Sequence, residues 1–165
     1  MQRRIRRSMT AMLWTLLASL ALAACAGPAP PPPPDPTIAM VTVNAAAYVN
    51  PNPQGQASPV LVRIYFLKSP TAFMEADFFQ LLDSDEAVLA GDLSAREEFA
   101  LAPSGSRSLT REIKDDGRFV GVLAAFREID GSLWRVATEV PVEKTTQVTA
   151  QLAGTQISIS AAPAQ

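Results

Sequence analysis

Residues 120–126, V-G-V-L-A-A-F, carry no polar side chain on either face. A strand alternates its side chains between two faces, so a strand apolar on both is central in its sheet and covered from both sides. Residues 59–67 form a second firm strand, with Val60, Val62, Ile64 and Phe66 on one face and Leu61, Arg63, Tyr65 and Leu67 on the other. Two such runs call for a layered fold with something packed on an outer sheet face.

The remaining strands are half-buried by pattern. Residues 38–43 alternate loosely. Residues 133–140 place Trp134, Val136 and Val140 opposite Arg135 and Glu139. Residues 146–152 bury Val148, Ala150 and Leu152, and residues 156–160 bury Ile157 and Ile159. Residues 96–101 and 106–113 are weaker strands. Asp116-Gly117, Asp130-Gly131 and Gly154-Thr155 separate successive strands, and Asp-Gly supplies the positive φ of a tight hairpin. The second half therefore predicts a string of antiparallel hairpins. The fold class is all-β, a two-layer antiparallel β-sandwich.

One segment breaks the pattern. Ser69 as cap and Pro70 at the first helical position predict a helix start, with Phe73, Ala76, Phe79 and Leu82 near helical spacing. Asp83 or Ser84 opens a second short turn, stopped by Gly91. The prediction is a small helical insert over 70–90, its aromatic face covering the outer side of a strand such as 120–126. Phe73, Phe78, Phe79, Leu81 and Leu82 are expected as core packing rather than a ligand pocket.

The N-terminal stretch carries an address. Arg3, Arg4, Arg6 and Arg7 precede an apolar run over 9–23, and Leu22-Ala23-Ala24 leads into Cys25, the single cysteine. A basic start, an apolar stretch and small residues at the cut make a secretory signal. A cysteine directly after the small residues is the pattern of a bacterial lipoprotein, in which the thiol is diacylated and becomes residue one. A spanning helix needs about 20 apolar residues, more than this run offers. Arg6-Arg7 leaves twin-arginine export open beside the general route. Cys25 is followed by Ala26 and Gly27, with no aspartate at the second position, which favours transfer to the outer membrane. Residues 28–36, P-A-P-P-P-P-P-D-P, hold seven of the fourteen prolines and predict a polyproline stalk. From Ala26 to Thr37 it spans at most about 35 Å at ~3.1 Å per residue. The expected organisation is a signal peptide over 1–24, the lipidated cysteine and linker over 25–36, the sandwich over 37–161 and a tail over 162–165.

Composition removes several function classes. All sixteen acidic residues lie after Cys25, against ten basic ones, a formal charge of −6 for the processed chain. That argues against nucleic acid and against a polybasic membrane patch, leaving the lipid as the anchor. There is no histidine, so the commonest general base and zinc ligand are missing, and the expectation is no enzyme, no catalytic residue and no metal. The only cofactor-like groups expected are the covalent diacylglycerol and N-acyl chain on Cys25.

Three acidic clusters are candidate sites. Asp83-Ser84-Asp85-Glu86 lacks the glycine and distal glutamate of a calcium loop and reads as a helix cap. Glu97-Glu98 straddles a strand, so its carboxylates point to opposite faces. Asp115-Asp116 is a turn. In P-S-G-S, 103–106, Ser104 has no base to activate it and reads as a connection. Residues 44–58, N-A-A-A-Y-V-N-P-N-P-Q-G-Q-A-S, are long for a connection between two strands. Tyr48 and Val49 offer an apolar anchor to a partner, and Pro51 and Pro53 a shaped protrusion. The other reading is a mobile loop with Tyr48 folded onto the core, and composition leaves both open.

In order along the chain, several motifs resemble the TssJ lipoprotein family of the bacterial type VI secretion system (VasD/SciN-like). They are the lipobox ending at Cys25, Y-V-N-P-N-P-Q-G-Q-A-S-P-V-L-V-R-I-Y-F-L (48–67) and S-P-T-A-F-M-E-A-D-F-F-Q-L-L (69–82). They continue with V-L-A-G-D-L (88–93), the turn at Pro103 and G-V-L-A-A-F-R-E-I…W-R (121–135). Ser104 stands where the family usually has Pro-Gly, and Phe66 where a polar residue is commoner. The resemblance implies a transthyretin-like sandwich with a helical segment. It implies an outer-membrane lipoprotein facing the periplasm. Its partner would be the periplasmic C-terminal region of the inner-membrane protein TssM, with TssL contacted indirectly. It places the partner-binding loop at Tyr48, Val49, Asn50, Pro51, Asn52 and Pro53. The alternative is a periplasm-facing lipoprotein that binds a small apolar ligand or another envelope protein.

Overall fold

A computed structural model describes residues 31–114 and 117–164. The expected signal 1–24, Cys25, the start of the linker and the Asp115-Asp116 turn lie outside the described residues. Eight strands follow in order: β1 Thr37–Val49, β2 Val60–Leu67, β3 Leu93–Leu101, β4 Ser106–Ile113, β5 Phe119–Ala125, β6 Arg135–Glu139, β7 Thr145–Gly154 and β8 Gln156–Pro163. Two helices, α1 Thr71–Glu75 and α2 Phe78–Leu89, lie between β2 and β3. The strands form two four-stranded sheets, β4-β1-β7-β8 and β3-β2-β5-β6. The all-β sandwich with a helical insert is therefore the observed fold.

Alternation decides the packing. Val41 and Val43 of β1, Val148, Ala150 and Leu152 of β7, and Ile157 of β8 face Val62, Ile64 and Phe66 of β2 and Val120, Val122 and Ala124 of β5. The opposite face of β2 and β5 gives Tyr65, Leu67 and Leu123 to a second cluster with Phe73, Ala76, Phe78, Leu81 and Leu89 of the insert. Each fully buried Val, Leu, Ile or Phe contributes about 1.5–3 kcal/mol, against at most about 1 kcal/mol for an exposed ion pair. The two clusters, not surface charge, hold the fold. Gly121 makes the second one possible: a Cβ there would come within 2.9 Å of the Phe73 ring.

Two arginines on that outer face hold the insert in place. Arg63 of β2 donates to the carbonyls of Leu81 (2.9 Å) and Leu82 (2.8 Å), just before α2 leaves helical geometry at Ser84. Arg135 of β6 donates to Phe73 (3.0 Å) and Ala76 at the end of α1. These are carbonyls that a short or broken helix leaves without intrahelical partners.

Several expectations need correction. The insert is two helices: the chain is extended at Ala76 and Asp77, and Asp77 with Gln80 forms a capping box that starts α2. Phe79 is not core; it is 66% exposed and meets Phe78 edge-on. The sandwich is not wholly antiparallel, because β1 and β7 pair in parallel. The chain crosses between sheets after β6, and the Ile38 N–H donates to Lys144 O (2.9 Å), so β7 starts beside the start of β1 and runs with it. Gly117 does not close a hairpin. β4 and β5 lie in different sheets, and this connection crosses between them with the Arg118 N–H on Leu67 O. β5 with β6 and β7 with β8 do pair antiparallel, the latter through Gly154 at φ +56. β8 runs through Pro163, into the residues expected as a tail.

Candidate partner-docking end

β1 is longer than its alternation suggested. Instead of a loop from residue 44, the strand continues to Val49, its register with β7 shifting between Ala45 and Val49. The Ala45 N–H donates to Gly105 O and the Ser104 N–H to Ala46 O, which ties this end of β1 to the β3–β4 turn. Ser104, at φ +60, is part of that connection. The loop between β1 and β2 is thus residues 50–59. It lies at the same end of the sandwich as the β3–β4, β5–β6 and β7–β8 connections.

The six expected loop residues separate into different roles. Tyr48 is 55% exposed on the last turn of strand. Val49 is fully buried and packs in the inter-sheet core, so it is no surface anchor. Asn50 is also buried, at φ +48. Its backbone N–H donates to Gly154 O (2.8 Å), its Nδ2 donates to Pro59 O (2.6 Å) and its Oδ1 accepts from the Arg127 N–H (2.8 Å). The side chain therefore joins the loop to the β5–β6 connection, and the backbone N–H of the same residue ties both to the β7–β8 turn. Asn52 shapes the tip: its Oδ1 accepts from the N–H groups of Gln54 (3.0 Å) and Gln56 (2.9 Å). Pro51 and Asn52 are half-buried and Pro53 is exposed. The tip is a hydrogen-bonded protrusion rather than a solvated coil.

A feature with no local sequence signal lies under the insert. Asp85, 4% exposed, accepts from Arg96 on both oxygens (2.6 and 2.7 Å) and from the Tyr65 hydroxyl (3.0 Å), with Arg63 at 3.4 Å. The expected helix cap at residues 83–86 is thus in part a buried ion cluster. Burial pushes the Asp85 carboxyl up, but the Arg96 and Tyr65 hydrogen bonds and the arginine charges outweigh it and hold it below the usual carboxylate range. Burial pushes the Tyr65 hydroxyl up to about 12. Both groups bond each other, and Asp85 also bonds the arginines, so the cluster fixes the insert to the sheet. Glu98 pairs with Arg63 and Glu97 with Arg111 (2.8 Å), on opposite faces as expected. Among the described residues no group of three or more His, Cys, Asp or Glu converges on a metal-sized site. A cavity of about 360 Å³ opens at the flank between β3 and β4, lined in part by Phe66, Arg111 and Lys114. Its lining comes from both sheets, Phe66 and Ala95 on one side and Arg111 and Ile113 on the other, so it lies at the open edge where the sheets meet.

The fold is an all-β sandwich whose far end carries a hydrogen-bonded loop held by Asn50 and Asn52. The family model for "Type VI secretion lipoprotein, VasD, EvfM, TssJ" matches residues 37–155, and the chain belongs to that family. It is similar to the T6SS lipoprotein TssJ1 from Pseudomonas aeruginosa at 37% identity and a TM-score of 0.74, covering 81% of this chain and all of that one. A chain of a type VI membrane complex is 28% identical at a TM-score of 0.65, covering 75% of this chain and 98% of that one. A chain of the structure described as the T6SS protein TssM C-terminal domain from EAEC is 28% identical at a TM-score of 0.61, covering 73% and 98%. No curated protein matches the chain at a comparable level.

Proposed function

We propose that the chain is an outer-membrane lipoprotein, held by acyl chains on Cys25 with its domain in the periplasm, that binds the periplasmic C-terminal region of TssM. It thereby ties the two membranes into one secretion complex, with TssL reached through TssM. Its role is structural, with no turnover and no cofactor beyond the lipid. The observation that carries this reading is polarity. The linker enters at Thr37, beside residues 143 and 144, where the Glu143 N–H donates to Thr37 Oγ1 (2.8 Å). The pre-shaped loop, Tyr48 and Asn50 lie at the far end of a thirteen-residue strand, about 40 Å away. An anchor at one end and a docking surface at the other suit a tether. Family membership and the likeness to a chain seen with TssM support the choice of partner.

The reading is tested by titrating the acylated chain in detergent with the TssM periplasmic C-terminal region. Saturable binding that weakens at least about tenfold in Tyr48→Ala supports it. No binding by the folded wild-type chain sinks it.

A further inference from the structure

Tyr48 has neighbours on the other strands of its sheet. Val49 pairs with Gly154, and the residues just before that pair are Ala153 on β7 and Tyr48 on β1, the latter at the end of the stretch where the register shifts. Ala153 pairs with Gln156 of β8, and Gln156 forms a parallel bridge with Leu133 of the β5–β6 connection. Side chains paired across a sheet point the same way. Val49 and Ile157 point into the core, so Ala153, Gln156 and Leu133 stand in one row on the outer face, and Tyr48, exposed next to the buried Val49, lies at the β1 end of that row. All four are exposed, Leu133 at 49%. The row crosses three strand spacings, about 14 Å.

Leu133 is fixed in place. Its N–H donates to Thr155 O (3.1 Å), its carbonyl accepts from the Ile157 N–H (3.0 Å), and the next residue, Trp134, packs into both cores. Asn50 binds the Arg127 N–H at the other end of the same connection. With its backbone already fixed, a large apolar side chain near the exposed Tyr48 costs no backbone ordering when a partner covers it.

We infer that the docking surface is composite: TssM covers the outer-face row from Tyr48 through Ala153 and Gln156 to Leu133, and Leu133 is its second apolar anchor. This rests on the TssM reading and deepens it. Continuity with the Tyr48 loop carries the inference, since the row starts at the loop's own exposed aromatic and runs without a buried interruption.

The test is titration of the acylated full chain in detergent with the TssM periplasmic C-terminal region. The variants are Leu133→Asp, Leu133→Met and Gln156→Arg, with melting curves to establish folding. The inference expects Leu133→Asp to weaken binding about tenfold or more, Gln156→Arg to weaken it at least threefold, and Leu133→Met to stay within about twofold. If Leu133→Asp and Gln156→Arg both bind like wild type while Tyr48→Ala does not, the surface is confined to the loop and the inference is overturned. If the folded wild-type chain does not bind, the partner reading itself fails and the inference falls with it.

Discussion

Asn50 occupies a left-handed backbone conformation that asparagine tolerates better than most residues, and both ends of its amide are used inside the protein. Replacing it by Ala leaves Pro59 O and the Arg127 N–H without their partner, in a site with 3% exposure. The expected loss is about 2–3 kcal/mol in urea unfolding, with weaker partner binding because the loop loses its side-chain tie to the β5–β6 connection. Asp85 makes a second prediction at this scale. Its folded pKa lies below its unfolded value near 4, so the unfolded chain binds more protons between the two. Its contribution is therefore complete above about pH 4 and is lost as pH falls through the folded value. Asp85→Asn leaves Arg96 without its counter-charge, while Arg63 keeps Glu98, and costs about 3 kcal/mol at neutral pH. Melting temperature against pH, measured from 2 to 7, should show a shallower acid fall in the variant than in the wild type. Equal acid slopes would remove Asp85 from the account. The Tyr65 hydroxyl gives the opposite limb: its raised value makes stability fall as pH climbs from about 10 towards 12, and Tyr65→Phe should remove that fall.

At the scale of elements, the insert depends on one missing side chain. Gly121→Val drives a methyl group into the Phe73 ring and should cost about 1–3 kcal/mol. Phe73→Ala in the same chain should cost less than the sum of the two single changes, because the clash and the contact share a partner. Strict additivity in a double-mutant cycle would contradict the packing described. This scale also shows what a sequence can reveal. β7 was legible from its alternation, and β2 and β5 from runs apolar on both faces or nearly so. The arginines at 63 and 135 on otherwise apolar faces gave no local hint that they close helix ends more than a dozen residues away. The last turns of β1 were not legible: N-A-A-A has no alternation, and its pairing comes from Gly105, Ala102's turn and Gly154, all distant in sequence. An Asp-Gly dipeptide specifies a turn but not the sheet that receives the next strand, which is why Gly117 misled and Gly131 did not. The loop was found by length and proline content. Only the fold shows that Val49 faces the core, that Asn50 holds the end together and that Tyr48 remains outside.

At the scale of the whole molecule, the account is one of two ends. The chain enters at Thr37 beside the β6–β7 connection, and every surface assigned to the partner lies at the opposite end. Cys25→Ser should abolish acylation and shift the protein from the membrane to the soluble fraction on flotation, while leaving the affinity of the distal end unchanged. A Ser variant that still floats with membranes would contradict the anchor. The central claim is that the distal end alone binds TssM. The most direct measurement is calorimetric titration of the acylated chain with the TssM periplasmic C-terminal region, comparing wild type with Tyr48→Ala at the distal end and Val142→Ala at the proximal end, where Val142 is 50% exposed. The account predicts saturable wild-type binding, about tenfold weaker binding for Tyr48→Ala and no change for Val142→Ala. Binding lost at the proximal end and unaffected at Tyr48 would contradict it.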